Sequence, residues 1–284
     1  MFSVTMLPPA AISLYFDDGG AMAFFRSFGI TLLSGVLIWL PVRNRLEELR
    51  LRDGFLIVSA LWFGLGSFGA FPLLFFEAPS IRFTEALFEA MSGLTTTGAT
   101  VLTGLDDMPK SLLYYRQQLQ WFSGMGIIVL AVAVLPMLGV GVMQLYRAEI
   151  AGPIKDSKLT PRITETAKAF WYMYVGLTVA CGIAYYYAGM GKFDALCHAF
   201  STVAIGGFST HDASIGYFDN LKINSIAMFF MFIAGINFSL HFLAWRSKSL
   251  LGYLGDPEFR SYAKNIFWLS AIVVIYLLIA DEFD

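Results

Sequence analysis

Polar residues reach this chain in clusters, and the stretches between them are apolar over lengths that suit a membrane. Seven such stretches lie at about residues 1–16, 21–41, 55–77, 112–141, 169–190, 223–245 and 265–280. One of them, Phe55 to Phe76, holds no ionisable side chain. A helix rises about 1.5 Å per residue, so about twenty residues cross the hydrocarbon, and each stretch is expected to be a transmembrane helix. Two further apolar pieces, Arg82–Leu94 and Gly191–Val203, are too short to cross. Each is followed by a run of Gly, Thr and Ser, which predicts a half-helix that enters the membrane and returns as extended chain.

The two short pieces are copies of one unit. With an offset of 109, "TEALFEAMSGLTTTGATV" (Thr84 to Val101) and "FDALCHAFSTVAIGGFST" (Phe193 to Thr210) align without a gap. Ala86/Ala195, Leu87/Leu196, Ala90/Ala199, Ser92/Ser201 and Gly98/Gly207 are identical, and Glu85/Asp194 are both acidic. Each copy lies between two full spans. The chain therefore repeats span, half-helix, Gly-containing strand, span, an organisation common among membrane transport proteins.

Charge then sets the orientation. Only 14% of the 284 residues are charged, mean hydropathy is +0.65 and 57% are hydrophobic. A soluble domain carries about a quarter charged residues, so this is an integral membrane protein. Thirteen of the nineteen Lys and Arg fall in three segments, within 41–54, 144–168 and 246–264. These follow the second, fourth and sixth spans, so they share one side, which the positive-inside rule makes cytoplasmic. The first span has no basic leader or small-residue cleavage site and is not read as a signal peptide. The net charge of −2 gives no argument for nucleic acid, and none is expected as a partner.

A re-entrant strand needs a protein-lined or water-lined surface beside it, because lipid cannot satisfy its backbone. Such strands can coordinate a cation. Partly left-handed extended backbone turns successive carbonyls to one axis, where they replace an ion's hydration shell. Gly98, Gly206 and Gly207 suit this because glycine takes φ > 0 without a Cβ clash. The Thr95 hydroxyl would add an oxygen at the inner end, and each half-helix aims its negative C-terminal dipole at the centre. Neither Thr95–Thr100 nor Ala204–Thr210 contains a carboxylate. Neutral oxygens suit a weakly hydrated monovalent ion rather than Mg²⁺ or Ca²⁺. Close helix packing by small residues is the competing account of the Thr and Gly.

Other residues carry less. Arg116, Gln117, Gln118 and Gln120 open the fourth span and could face either the protein interior or the outer membrane edge. Gly124 and Gly126 are expected to permit close helix contact. Asp106, Asp107, Asp212 and Asp219 are read as solvated loop charge, with attraction of cations to the mouth as the alternative. Asn237 is expected to hydrogen-bond between helices within the sixth span. Cys181 and Cys197 read as buried hydrophobes. His198, His211 and His241 lack partners at metal-ligand spacing, so no transition-metal site is expected. With no nucleophile–base pair, phosphate loop or cofactor motif, the chain is not expected to be an enzyme or to hold a cofactor.

The segments "SGLTTTGATVLTGLDDMPKSLLYYRQQLQWFSGMG" and "FSTVAIGGFSTHDASIGYFD", with the cytoplasmic "GPIKDSKLTPRITETAKA" and "DPEFR", resemble TrkH-type potassium transporters of the Trk/Ktr/HKT superfamily. The resemblance covers nearly the whole chain. It implies an all-α integral membrane fold: two leading helices, then M1–pore loop–M2 repeats about a K⁺-channel-like pseudo-fourfold pore. Two complete repeats fit here. On this pattern 1–54 holds the leading helices and a basic loop, and 55–143 the first repeat. Residues 144–168 form the cytoplasmic linker, 169–245 the second repeat, and 246–284 a loop and the first helix of a third repeat.

The resemblance makes Thr95, Thr96, Thr97, Gly98 and Ala99 the first filter strand, and Ala204, Ile205, Gly206, Gly207 and Phe208 the second. It implies K⁺ as the transported ion, a homodimer in the bacterial inner membrane, and a cytosolic TrkA-like nucleotide-binding regulatory subunit. It also implies that the sequence is the N-terminal part of a longer pore subunit. Two other readings of the residues stay open. A secondary transporter would bind solute through polar side chains converging from the spans, and a two-repeat chain could complete a pore by dimerising.

Overall fold

The computed structural model describes residues 2–44, 51–134 and 159–280. Outside it lie Met1, residues 45–50 of the first basic segment, 135–158 and 281–284. The end of the fourth expected span and most of the expected linker 144–168 therefore fall outside the described residues.

Helices fall in each of the seven expected stretches as far as the described residues reach. After a 3₁₀ turn at Phe2–Met6 come α1 (Leu7–Phe16), α2 (Ala21–Trp39), α3 (Leu51–Leu74), the half-helix α4 (Phe83–Leu94) and α5 (Lys110–Val134). Then follow α6 (Leu159–Tyr187), the half-helix α7 (Lys192–Val203), α8 (Leu221–Ala234), α9 (Phe238–Ser247), the short α10 (Leu251–Gly255) and α11 (Pro257–Ile279). Among the described residues, Ala21–Trp39, Ala167–Tyr187 and Pro257–Ile279 are long and apolar enough to cross a membrane. Leu221–Ala234 with Phe238–Ser247 makes a fourth if taken as one broken span. The helix α5 is polar for a span because it is lined with buried Arg and Gln side chains.

By its internal packing the chain divides into two units, Met1–Met231 and Phe232–Asp284. In the first, α5 is the hub. Its Leu112, Tyr115 and Leu119 face a core made with Ala23 and Phe24 of α2, Ala70 and Leu73 of α3, and Ala86, Ala90 and Leu94 of α4. A second face carries Tyr114 and Trp121 to α7, where Trp121 stacks on Phe200 at 4.9 Å between centroids. Small residues at i, i+4 on α4 let it approach α3 and α5 closely. Gly124 serves the same purpose: a Cβ there would lie 2.6 Å from the Tyr174 hydroxyl and 3.2 Å from Ala204 Cα. Among the described residues nothing lies within 4 Å of a Cβ built at Gly126.

The turn after α1 caps α5. Asp18 accepts from the Ser111 N–H at 2.8 Å and from the Ser111 hydroxyl at 3.1 Å. A carboxylate at a helix N-terminus satisfies an orphan donor and meets the positive end of the dipole. The α1–α2 turn and the start of α5 thus sit at one end of the bundle, as the alternating charge pattern requires.

Two helices depart from expectation. The helix α6 begins at Leu159, inside the stretch expected to be linker. The Pro161 that follows is harmless there, since the first turn of a helix has no use for its missing N–H. The expected sixth span is not continuous either. Asn237 makes the expected bond between helices, its amide nitrogen donating to Glu258 of α11 at 3.2 Å, and it also caps a new helix, its side-chain oxygen accepting from the Ser239 N–H at 3.0 Å. The break at Gly235–Asn237 leaves carbonyls of α8 without helical donors. Tyr262 donates its hydroxyl to the Phe232 carbonyl at 3.2 Å and a His241 ring nitrogen reaches the Ile233 carbonyl at 3.0 Å. A break at membrane depth is tolerated when protein groups satisfy the freed backbone in this way.

Candidate ion-filter strands

The two half-helices and the strands after them match bond for bond at the offset of 109. The helix α4 starts after Arg82 (φ −69°, ψ 154°) and α7 after Gly191 (φ −58°, ψ 150°). At the far ends the Thr95 N–H donates to Met91 at 2.8 Å, and the Ala204 N–H to Phe200 at 3.1 Å. Thr96 bonds to Gly93 and Ile205 to Thr202; Thr97 bonds to Ser92 at 2.9 Å and Gly206 to Ser201 at 2.8 Å. The left-handed positions also correspond: Thr96 and Ile205 have φ of 53° and 52°, Gly98 and Gly207 of 74° and 83°.

A non-glycine residue with positive φ is uncommon, and for β-branched Thr and Ile it is a true outlier. Two such outliers at equivalent positions mean that the tertiary structure imposes this backbone twice. Alternating left-handed residues can turn neighbouring carbonyls toward a common side, while the Gly206 and Phe208 carbonyls here are engaged by Gln120 and Gln117 of α5. At Gly98 the second strand comes close as well, since a Cβ there would lie 2.2 Å from the Gly206 carbonyl oxygen. Glycine is required at position 98 for both reasons.

Side chains of α5 hold the second strand. Gln120 donates to the Gly206 carbonyl at 2.6 Å and accepts from the Phe208 N–H at 3.2 Å. With its amide nitrogen facing the carbonyls, Gln117 donates to Phe208 at 3.0 Å and accepts from the Thr210 N–H at 3.3 Å. Gln118 looks the other way and donates to the Thr5 carbonyl at 2.7 Å. All three Gln and Arg116 are buried. Sequence left these residues open between the interior and the membrane edge; they belong to the interior.

In the first strand the hydroxyls are engaged locally. Thr95 donates to the Met91 carbonyl at 2.8 Å and lies 2.7 Å from the Thr97 hydroxyl, and Thr96 donates to the Thr95 carbonyl at 2.7 Å. The oxygen of Thr95 keeps a lone pair beyond its donated proton. Ser123 of α5 donates to the Leu94 carbonyl at the end of α4. Thr95, Thr97, Ala99 and Thr100 are exposed in the first strand, and Ile205 and Gly207 in the second. Among the described residues no cluster of three or more His, Cys, Asp or Glu could hold a metal ion.

Outside the strands, two loops clasp each other. Asp212 accepts from the Gly104 and Leu105 N–H groups at 2.9 and 3.2 Å through one carboxylate oxygen. His211 Nδ1 lies 2.5 Å from Asp106, and the His211 ring stacks on Tyr217 at 3.5 Å. All four loop carboxylates, Asp106, Asp107, Asp212 and Asp219, are exposed, and Asp106 and Asp212 in addition link the two repeats. The His211 hydrogen bond holds the Asp106 carboxyl below the usual carboxylate range, with the Asp212 N–H adding to it. Cys181 and Cys197 are buried free thiols, as expected.

Half-helices that return as extended backbone between full spans define a class, the membrane transport proteins with re-entrant loops. Within it the assignment is specific: the TrkH model, described as a cation transport protein, matches residues 20–283, and the chain belongs to that family. It is 57% identical over its whole length to the Trk system potassium uptake protein TrkH of Halomonas elongata, covering 59% of that protein. It is 54% identical to the Escherichia coli protein of the same name over 98% of this chain and 57% of the relative. Its fold superposes on the crystal structure of the potassium transporter TrkH from Vibrio parahaemolyticus with a TM-score of 0.88 at 49% identity. That match covers 99% of this chain and 57% of the other. The chain thus spans less than three-fifths of the length of these relatives.

Proposed function

We propose that this chain is part of the pore-forming subunit of a bacterial inner-membrane potassium uptake system. Its filter would be lined by the backbones of Thr95–Ala99 and Ala204–Phe208. The observation that carries the reading is the duplicated left-handed backbone at 96/205 and 98/207. Carbonyls turned to one side replace the hydration shell of an ion, and the C-terminal ends of α4 and α7 favour positive charge beside them. No carboxylate lies within either strand, which suits K⁺ better than a divalent ion. The buried polar side chains Gln117 and Gln120 are spent on strand backbone. That weighs against a solute site built from the spans.

The same reading divides the chain at 54, 143, 168 and 245 into leading helices, first repeat, linker, second repeat and the start of a third. It includes a homodimer and a cytosolic TrkA-like regulatory subunit that meets the basic cytoplasmic side. The test is growth. The open reading frame that carries this chain, expressed in a strain lacking K⁺ uptake, should restore growth at micromolar to low millimolar K⁺. Membrane insertion without rescue would contradict the reading.

A further inference from the structure

An ion pair is buried behind the two strands where the proposed filter has no use for a charge. Glu89 on α4 and Arg116 on α5 have side chains 0% and 1% exposed, and Arg116 Nε donates to Glu89 at 3.1 Å. The other Glu89 oxygen accepts from the Thr100 hydroxyl at 2.5 Å and from the Val101 N–H at 2.7 Å. Arg116 spreads the rest of its fork over both strands. One terminal nitrogen donates to the Thr100 hydroxyl at 2.9 Å and the other to the Ser209 carbonyl at 3.3 Å. Its guanidinium carbon lies 4.3 Å from the centre of the Phe208 ring.

The repeat makes sense of the arrangement. At the offset of 109, Glu89 corresponds to His198 and Thr100 to Ser209, and His198 Nε2 lies 3.0 Å from the Ser209 hydroxyl. Each half-helix thus grips a hydroxyl at the outer end of its own strand. Arg116 bridges the two grips. Stability alone does not account for an ion pair here, because well-packed apolar side chains are often at least as stabilising as a buried pair. Ionisable groups within a membrane protein usually mark function.

We propose that Arg116, anchored by Glu89, is a positioning residue that fixes the separation of the two strands at their outer ends, and so the ion size they accept. The proposal rests on the filter reading. A planar fork with five donors can hold Glu89, Thr100 and Ser209 together, whereas a lysine ammonium is a single point and cannot. With the brace gone, the strands relax around smaller ions and discrimination against Na⁺ falls.

The experiment measures K⁺ and Na⁺ uptake by the complete reading frame in K⁺-uptake-deficient cells, normalised to protein in the membrane. Arg116→Lys, the neutral pair Glu89→Gln/Arg116→Gln and Thr100→Val are compared with the unaltered protein. Loss of charge-assisted hydrogen bonds on this scale should lower the K⁺/Na⁺ ratio of Vmax/KM by about tenfold in the first two variants. Thr100→Val keeps volume and the ion pair, so it remains readable where the pair variants fail to reach the membrane, and it should shift the ratio in the same direction. A purely structural role predicts less protein with an unchanged ratio. An unchanged ratio in the variants that insert would overturn the proposal while leaving the filter reading intact. Absence of K⁺ uptake by the unaltered protein would overturn both.

Discussion

Gly206 and Phe208 show what single residues must do at membrane depth. Their carbonyl and N–H are both held by one side chain, Gln120 of α5. Gln120→Leu keeps the volume and orphans both, at about 1–3 kcal/mol for each buried group. The purified variant should melt several degrees lower and, on the filter reading, show a raised KM for K⁺. Gly98→Ala meets a harder limit, because positive φ and a 2.2 Å approach to the Gly206 carbonyl coincide there. The left-handed penalty alone is about 1 kcal/mol, and the clash adds to it, so uptake should fall more than for alanine at exposed Gly104.

Asp106 provides the residue-scale pH dependence. Its carboxyl is held low by the His211 hydrogen bond, so its contribution is fully present above the usual value of 3.8. That contribution is lost as pH falls through the lower folded-state value. Amide exchange at Asp212, whose N–H donates to Asp106, should stay slow at neutral pH and speed up only below that window. In Asp106→Asn the acid-dependent step should disappear.

At the scale of elements, the apolar pattern and the repeat were informative because both are local. The half-helices fall at Phe83–Leu94 and Lys192–Val203, within a residue of where the apolar pieces and their Gly-Thr tails place them. The face that α5 turns inward was not legible. "RQQLQ" has polar groups on several sides, and only the positions of α4, α7 and the strands decide between interior and membrane edge. The brace was half visible: Glu89/His198 and Thr100/Ser209 align in the repeat as polar pairs, but Arg116 enters from α5, outside the aligned segments 84–101 and 193–210.

The break in the sixth span escaped the pattern for a similar reason. Its chain runs on apolar through Gly235, and the Tyr262 hydroxyl that relieves the freed carbonyl lies thirty residues away. Asn237 was the local signal, being a preferred N-cap type. Asn237→Ala should cost about 1 kcal/mol of helix stability, read as faster exchange of the Ser239 amide.

Over the whole molecule, family membership and the paired strand geometry point the same way. Two half-helices related by one offset bring Gly98 and Gly206 close together, and on the filter reading the strands are parts of one lining. The relatives are longer than this chain, and the proposed conduction belongs to the complete reading frame. The central claim is that backbone oxygens of Thr95–Ala99 and Ala204–Phe208 bind the ion. Anomalous scattering from crystals of the complete protein grown in Rb⁺ or Tl⁺ measures this directly. The account predicts peaks beside the carbonyls of both strands that weaken when Na⁺ replaces the heavier ion. Well-ordered strands with no peak, or a peak held by side chains elsewhere, would contradict it.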